Sequence, residues 1–183
     1  MAADPRGPWG EVWETVRALV IAVAVALLVR QFVVETFQVH GTSMQPNLEN
    51  GDRLLVNKLQ IRFGSPHIGQ IIVFRPPVGI CPQVPANPED FVKRVVATAG
   101  QTVSMRDGEV YVDGQLQAEP YLPPAWRDTY NLSPVTVPAG DVWVLGDHRI
   151  VSLDSRCYGP VPIRSIAGVA MVIWWPTWHW LGA

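Results

Sequence analysis

The segment Thr102-Val103-Ser104-Met105-Arg106-Asp107-Gly108-Glu109-Val110-Tyr111-Val112 sets the fold class. Val103, Met105, Val110 and Val112 alternate with polar or amphipathic residues on either side of Asp107-Gly108. Alternation with period two turns one face of each arm toward a core. Asp-Gly supplies the positive-φ positions of a tight hairpin turn whose twist matches that of the strands. A second pair, Asp113-Gly114, comes at once and predicts that the hairpin continues as a meander. To either side, short apolar runs bounded by turn residues predict strands at 36–40, 53–58, 70–75, 91–99, 142–145 and 166–174. Residues 76–90 contain five prolines and are expected as a loop, as is the similar stretch 119–134. No long amphipathic helical pattern occurs after residue 35. The fold class is therefore mainly β, a compact antiparallel β-sheet domain.

The N-terminal region is different. Residues 18–29 read ALVIAVAVALLV, twelve apolar residues between Arg17 and Arg30. Extended to 16–34, the run becomes a helix of about 28 Å, close to the ~30 Å of a bilayer core. The terminal arginines can snorkel to the headgroups and Trp13 can anchor at the interface. A cleavable leader also has a short apolar run, but the RQFVVETFQV after it offers no small-x-small cleavage site. A single transmembrane anchor within residues 1–35 is expected, then a β-rich domain over 36–183. Arg6 and Arg17 favour an N-terminus on the cytoplasmic side, since Asp4, Glu11 and Glu14 count little toward orientation. The tail WWPTWHWL, 174–181, holds four of the eight tryptophans, either as core packing of a last strand or as an aromatic belt at the bilayer surface.

Composition fits this division. Of 183 residues, 48% are hydrophobic and 16% charged, against about 25% charged in ordinary soluble domains. A net charge of −2 excludes the basic face of an electrostatic nucleic-acid binder. Cys81 and Cys157 either form one disulfide outside the cytoplasm or remain two buried thiols. Without CxxC or HExxH, they fall short of a structural zinc site, so no metal or cofactor is expected. Among 14 basic residues only Lys58 and Lys93 are lysines.

Lys93 lies in Phe91-Val92-Lys93-Arg94-Val95-Val96-Ala97, where period two puts Phe91, Lys93, Val95 and Ala97 on one face. A lysine on such a face is desolvated, which favours the neutral amine and hence a base able to take a proton from serine. Taken alone, it reads more readily as a lysine snorkelling from a strand edge. Ser43, in Gly41-Thr42-Ser43-Met44-Gln45-Pro46, comes after an alternating segment. That strand-to-loop transition leaves backbone N–H groups free for an oxyanion. Taken alone, it is a turn serine. The third block, Gly146-Asp147-His148-Arg149-Ile150-Val151-Ser152-Leu153-Asp154-Ser155-Arg156, is a dense polar loop. Ser152 is a candidate to orient the lysine, and Asp154 a candidate partner for Arg156. A Ser–His–Asp arrangement through His148 has little support, because adjacent Asp147 and His148 point apart on a strand.

In order along the chain, an anchor, FQVHGTSMQPNLENGD, RLLVNKL, FVKRVVATAGQTV and GDHRIVSLDSR resemble bacterial type I signal peptidase up to about residue 162. The resemblance implies a membrane-anchored serine endopeptidase that cleaves signal peptides from exported preproteins after small-x-small sites. It implies that Ser43 is the nucleophile, Lys93 the general base, Ser152 the lysine's hydrogen-bond partner, and Asp154 with Arg156 a supporting pair. It implies further that Phe37, Val39 and Val92 line pockets for small side chains, with Met44 beside the nucleophile. Signal peptides, the lipid bilayer and proximity to the secretion translocon are the implied partners, with the catalytic domain outside the cell membrane. Gly41 stands where some members carry an oxyanion-hole serine, and His148 and Val151 stand where asparagines are usual. Two other classes remain open: a non-catalytic tethered β-domain that binds signal peptides, and a secreted β-domain with a cleaved leader. The self-cleaving SOS repressors share a Ser–Lys dyad but carry a DNA-binding domain where this chain has its apolar run.

Overall fold

A computed structural model describes residues 8–181 of the chain. Asp4 and Arg6, which bear on the expected orientation, lie outside the described residues. Along the chain come α1 (Pro8–Phe32), β1 (Val34–Gln38), β2 (Arg53–Asn57), α2 (Leu59–Phe63), β3 (Ile71–Phe74) and β4 (Phe91–Thr98). Next are β5 (Thr102–Arg106), β6 (Glu109–Val112), β7 (Gln115–Leu116), β8 (Leu132–Thr136) and β9 (Asp141–Leu145). The chain closes with α3 (Ser155–Tyr158), β10 (Val161–Pro162), β11 (Ile166–Trp175) and β12 (His179–Trp180). All strand pairs are antiparallel. The larger sheet runs β1-β2-β11-β3-β4-β9-β10 with β12 added to β11, and the smaller runs β7-β6-β5-β8.

The predicted mainly β class is what the chain adopts. The meander forms as β5-β6-β7, with Asp107, Gly108, Asp113 and Gly114 all at positive φ. Strand β3, Ile-Ile-Val-Phe, is buried on both faces and sorts its residues by parity. Ile72 and Phe74 join Val95, Val144, Tyr158 and Val161 in one cluster, whereas Ile71 and Val73 join Val39, Met44, Leu48 and Leu54 in another. A third cluster joins the sheets through Val103, Met105, Val110 and Val112 against Val96, Trp143 and Leu145. The sheet also buries two cations, Lys93 and Arg94, on successive positions of β4.

Four expectations change. Residues 119–134 are not one loop: a 3-10 turn forms at Pro124–Trp126, and β8 begins at Leu132. Pro134 is tolerated because β8 lies at the edge of its sheet, where a missing N–H breaks no required ladder bond. A bulge between Val95 and Ala97 ends the predicted alternation, so Ala97 packs in the third cluster and not with Phe91 and Val95. Helix α1 stops at Phe32, and its most apolar window is Val12–Val29, so Val34 of the expected 16–34 span already belongs to β1. That window is long and apolar enough to cross a membrane. The tail splits between its two readings. Trp174 is half-buried, while Trp175, Trp178 and Trp180 are 56%, 64% and 65% exposed, which core packing does not explain.

The two cysteines form a disulfide across 76 positions. It fastens the proline-rich loop between β3 and β4 to α3, close behind the polar loop that begins at Gly146.

Candidate active site

Ser43 and Lys93, 50 positions apart, meet: Lys93 Nζ lies 2.7 Å from Ser43 Oγ. Strand β4 delivers the lysine. Its pairing of Lys93 with Ile72 and of Phe91 with Phe74 puts the stem on the face of the first cluster, and Nζ lies 5.3 Å from the centre of the Phe91 ring. The side chain is 4% exposed, and its second hydrogen bond goes to the Val92 carbonyl at 3.0 Å. Burial lowers the lysine pKa from 10.5 to about 8, against the opposing pull of the Asp154 and Asp147 carboxylates. Loss of hydration penalises the ammonium more than these carboxylates favour it.

Ser43 sits in a tight turn just beyond β1, where Gln45 N–H donates to Thr42 O at 3.1 Å and Leu48 N–H to Met44 O at 3.0 Å. Among the described residues nothing accepts a hydrogen bond from the Ser43 N–H. Gly41, at φ 89°, donates to Asn50 Oδ1 and presents no side chain to the site.

The third block folds beneath this pair. Asp154 and Arg156 associate as expected, through Nε–Oδ1 at 2.8 Å and Nη2–Oδ2 at 2.7 Å. Asp154 also accepts from Gly146 N–H at 3.0 Å, and Arg156 reaches Asp128 and the Arg149 carbonyl. The expected bond from Ser152 to Lys93 is absent. Lys93 Nζ is directed to Ser43 and Val92, and the buried Ser152 Oγ has no partner among the described residues. That hydroxyl packs against Gly146, where a Cβ would lie 2.1 Å from it and 2.5 Å from Ser43 O. His148 and Asp147 point apart. The histidine faces Thr42 O and Trp126, the aspartate faces Arg94, and no Ser–His–Asp chain forms.

Phe37, Val39, Met44 and Val92 converge on one cluster. Val39 and Met44 are buried, whereas Phe37 and Val92 keep exposed surface. Residues 91–93 pair with β3 on one side only, because β9 joins β4 from Arg94 onward.

Sequence reasoning missed the buried ion pairs. Arg94 binds Asp147 bidentately, at 2.9 and 2.7 Å, and Asn47 donates to the same carboxylate at 2.9 Å. Arg149, 1% exposed, is paired with the equally buried Glu119. The available signal was Arg94 itself: a charge on a strand buried on both faces requires a partner. Gly146, whose missing side chain admits Ser152 and the Ser43 backbone, gave no signal in the sequence.

An apolar helix long enough to cross a membrane leads into an antiparallel β-domain, in which a serine lies against a buried lysine. The family described as signal peptidase, peptidase S26, matches residues 12–175. The probable signal peptidase I-1 of Synechocystis sp. is 42% identical over 94% of this chain and 87% of its own length. Signal peptidase I of Leptolyngbya laminosa is 40% identical over 89% of this chain and 79% of its own. A solved signal peptidase I from Enterococcus faecalis is 31% identical, covers 57% of this chain and 95% of its own, and has a TM-score of 0.46. This chain belongs to the signal peptidase family and is a signal peptide-cleaving peptidase.

Proposed function

We propose that cleavage proceeds through a Ser43–Lys93 dyad, and the 2.7 Å contact between the serine oxygen and a buried lysine of lowered pKa carries the proposal. Neutral Lys93 takes the Ser43 proton as Oγ attacks the scissile carbonyl. The Ser43 N–H, which has no acceptor of its own among the described residues, faces the developing oxyanion. The Lys93 ammonium then protonates the departing amine, leaving an acyl-serine ester. A water, deprotonated by Lys93 in turn, hydrolyses that ester and returns Ser43 its proton. Asp154, Arg156 and Gly146 hold the floor of the site.

The substrate enters as an extended segment. The open side of 91–93 offers main-chain groups for strand addition, and Phe37, Val39, Met44 and Val92 form apolar ground for small side chains. Small-x-small sites, with little side-chain bulk, suit that ground. The anchor is α1, which ends at Phe32, and the peptidase domain begins with β1, with the N-terminus in the cytoplasm and the domain outside the cell membrane. The Cys81–Cys157 disulfide suits that oxidising side. The exposed Trp175, Trp178 and Trp180 suit a bilayer surface, where signal peptides leaving the secretion translocon are at high effective concentration.

The test is cleavage of a preprotein with an Ala-x-Ala site, in detergent, by wild type, Ser43→Ala and Lys93→Ala. Both variants are expected to fold and to lose turnover. A penem-type acylator is expected to add its mass at Ser43 in the wild type alone. Full cleavage by either variant refutes the dyad, and binding without acylation marks a non-catalytic signal-peptide receptor.

A further inference from the structure

The loop beyond Gly146 makes a contact with the nucleophile's turn that proton transfer between Ser43 and Lys93 does not use. His148 Nδ1 lies 3.3 Å from Thr42 O, and the His148 backbone N–H donates to Ser43 O at 3.0 Å. One residue thus holds the carbonyls on both sides of the Ser43 backbone. Gln45 N–H is the other donor to Thr42 O, at 3.1 Å. The imidazole is also packed on one side. Trp126 meets it edge-on, with ring centres 4.0 Å apart, and the Trp126 carbonyl is tied to Arg149 N–H at 3.1 Å. Arg149 is in turn locked to Glu119 in the interior.

Thr42 C=O and Ser43 N–H are opposite ends of one planar peptide group, so a bond that fixes the first orients the second. Hydrogen bonds in series also polarise one another, and a carbonyl that accepts makes its own N–H a stronger donor. We propose that His148 is a positioning residue of the oxyanion site: with its proton on Nδ1, it aims and polarises the Thr42–Ser43 amide toward the transition-state oxygen. The inference rests on the proposed Ser43–Lys93 dyad. The proton sits on Nδ1 in one neutral tautomer and in the imidazolium, so the contact requires no charge. Its importance here comes from Gly41, which places no hydroxyl at the site and leaves more of the oxyanion to the Ser43 amide.

Two substitutions separate a donor from a packing ring. His148→Asn keeps an N–H donor and loses the aromatic surface, while His148→Phe keeps the ring against Trp126 and loses the donor. The expected result is kcat near wild type for the asparagine variant. For the phenylalanine variant, a fall of about tenfold with KM unchanged is expected, as for a hydrogen bond that matters only in the transition state. A peptide aldehyde, which Ser43 captures as a tetrahedral adduct, is expected to bind the phenylalanine variant about tenfold more weakly. A reduced-amide peptide of the same sequence is expected to bind both variants alike. The reverse order of kcat, equal kcat in the two variants, or equal losses for aldehyde and reduced amide would overturn the proposal. Cleavage by Lys93→Ala would instead overturn the dyad beneath it.

Discussion

Replacing Lys93 with methionine is expected to abolish cleavage and yet make the protein more stable. Burial lowers the lysine pKa from 10.5 to about 8, which corresponds to a folding cost of about 3 kcal/mol at ~1.4 kcal/mol per pKa step. The sign comes from protonation. Below pH 8 the lysine is an ammonium in both folded and unfolded chains, so the folded state bears the whole cost. Between about pH 8 and 10.5 the folded chain has released the proton and the unfolded chain has not, so wild-type stability rises with pH across this window. Above it both are neutral and the cost is gone. Methionine fills similar space with no charge at any pH, but forfeits the bonds to Ser43 and to the Val92 carbonyl, about 1 kcal/mol each. The variant should therefore be about 1 kcal/mol more stable at pH 7, or ~2–4 °C in Tm for a chain of this size. Thermal unfolding of both proteins in the same detergent at pH 7 and pH 10, beside a cleavage assay over that range, measures it. Wild-type cleavage should rise through about pH 8. The reasoning fails if the variant melts at or below wild type at pH 7, or if the gap does not narrow at pH 10.

Gly146→Ala puts a Cβ 2.1 Å from Ser152 Oγ and 2.5 Å from Ser43 O, so cleavage should drop by more than tenfold and stability by ~1–3 kcal/mol. Wild-type turnover in that variant would show that the floor of the site yields without cost. Asp147→Ala strands Arg94 without its carboxylate in the interior and should cost ~3–5 kcal/mol in denaturant unfolding, unlike a surface pair. Reduction of Cys81–Cys157 releases a loop of 76 positions and should lower stability by about 4 kcal/mol. An unchanged melting curve after confirmed reduction would contradict this.

The parts of the molecule legible in the sequence are those with local causes. Asp107-Gly108 and Asp113-Gly114 carry their turns in their own backbone preferences, and the meander results from them. The apolar run of α1 is legible because a bilayer demands length and composition and nothing else. Ser43 and Lys93 are legible through order along the chain, since neither residue alone exceeds the background of turn serines and strand-edge lysines. What escapes depends on distant partners. Arg94 and Asp147 are 53 positions apart, and Glu119 and Arg149 are 30 apart, so each reads as a solvated charge until the sheet brings them together. Ser152 is expected to hold the lysine, but Lys93 takes the carbonyl of its neighbour Val92, an acceptor that every residue offers and no sequence pattern marks. The strand at Leu132 hides behind Pro134, which is excluded from a strand interior but allowed at a sheet edge, and edge status is a property of the assembled sheet.

Lys93 and Arg94 are consecutive cations on one strand, sent to opposite faces and opposite fates: one lies against Ser43 without a carboxylate, and the other is clasped by Asp147. Sliding β4 by a single residue against β3 in one direction would put Arg94 in the place of Lys93, and a guanidinium that never loses its proton cannot act as a base. Sliding it in the other direction would bring Lys93 to the place of Arg94, before Asp147, and leave Val92 in the place of the lysine. Under the proposed dyad, either slipped chain would lack its base. On the proposed dyad, fidelity of strand alignment is thus a condition of catalysis in this protein, separate from stability. The bulge between Val95 and Ala97 is a landmark of that alignment, the point where β4 steps its register against β9.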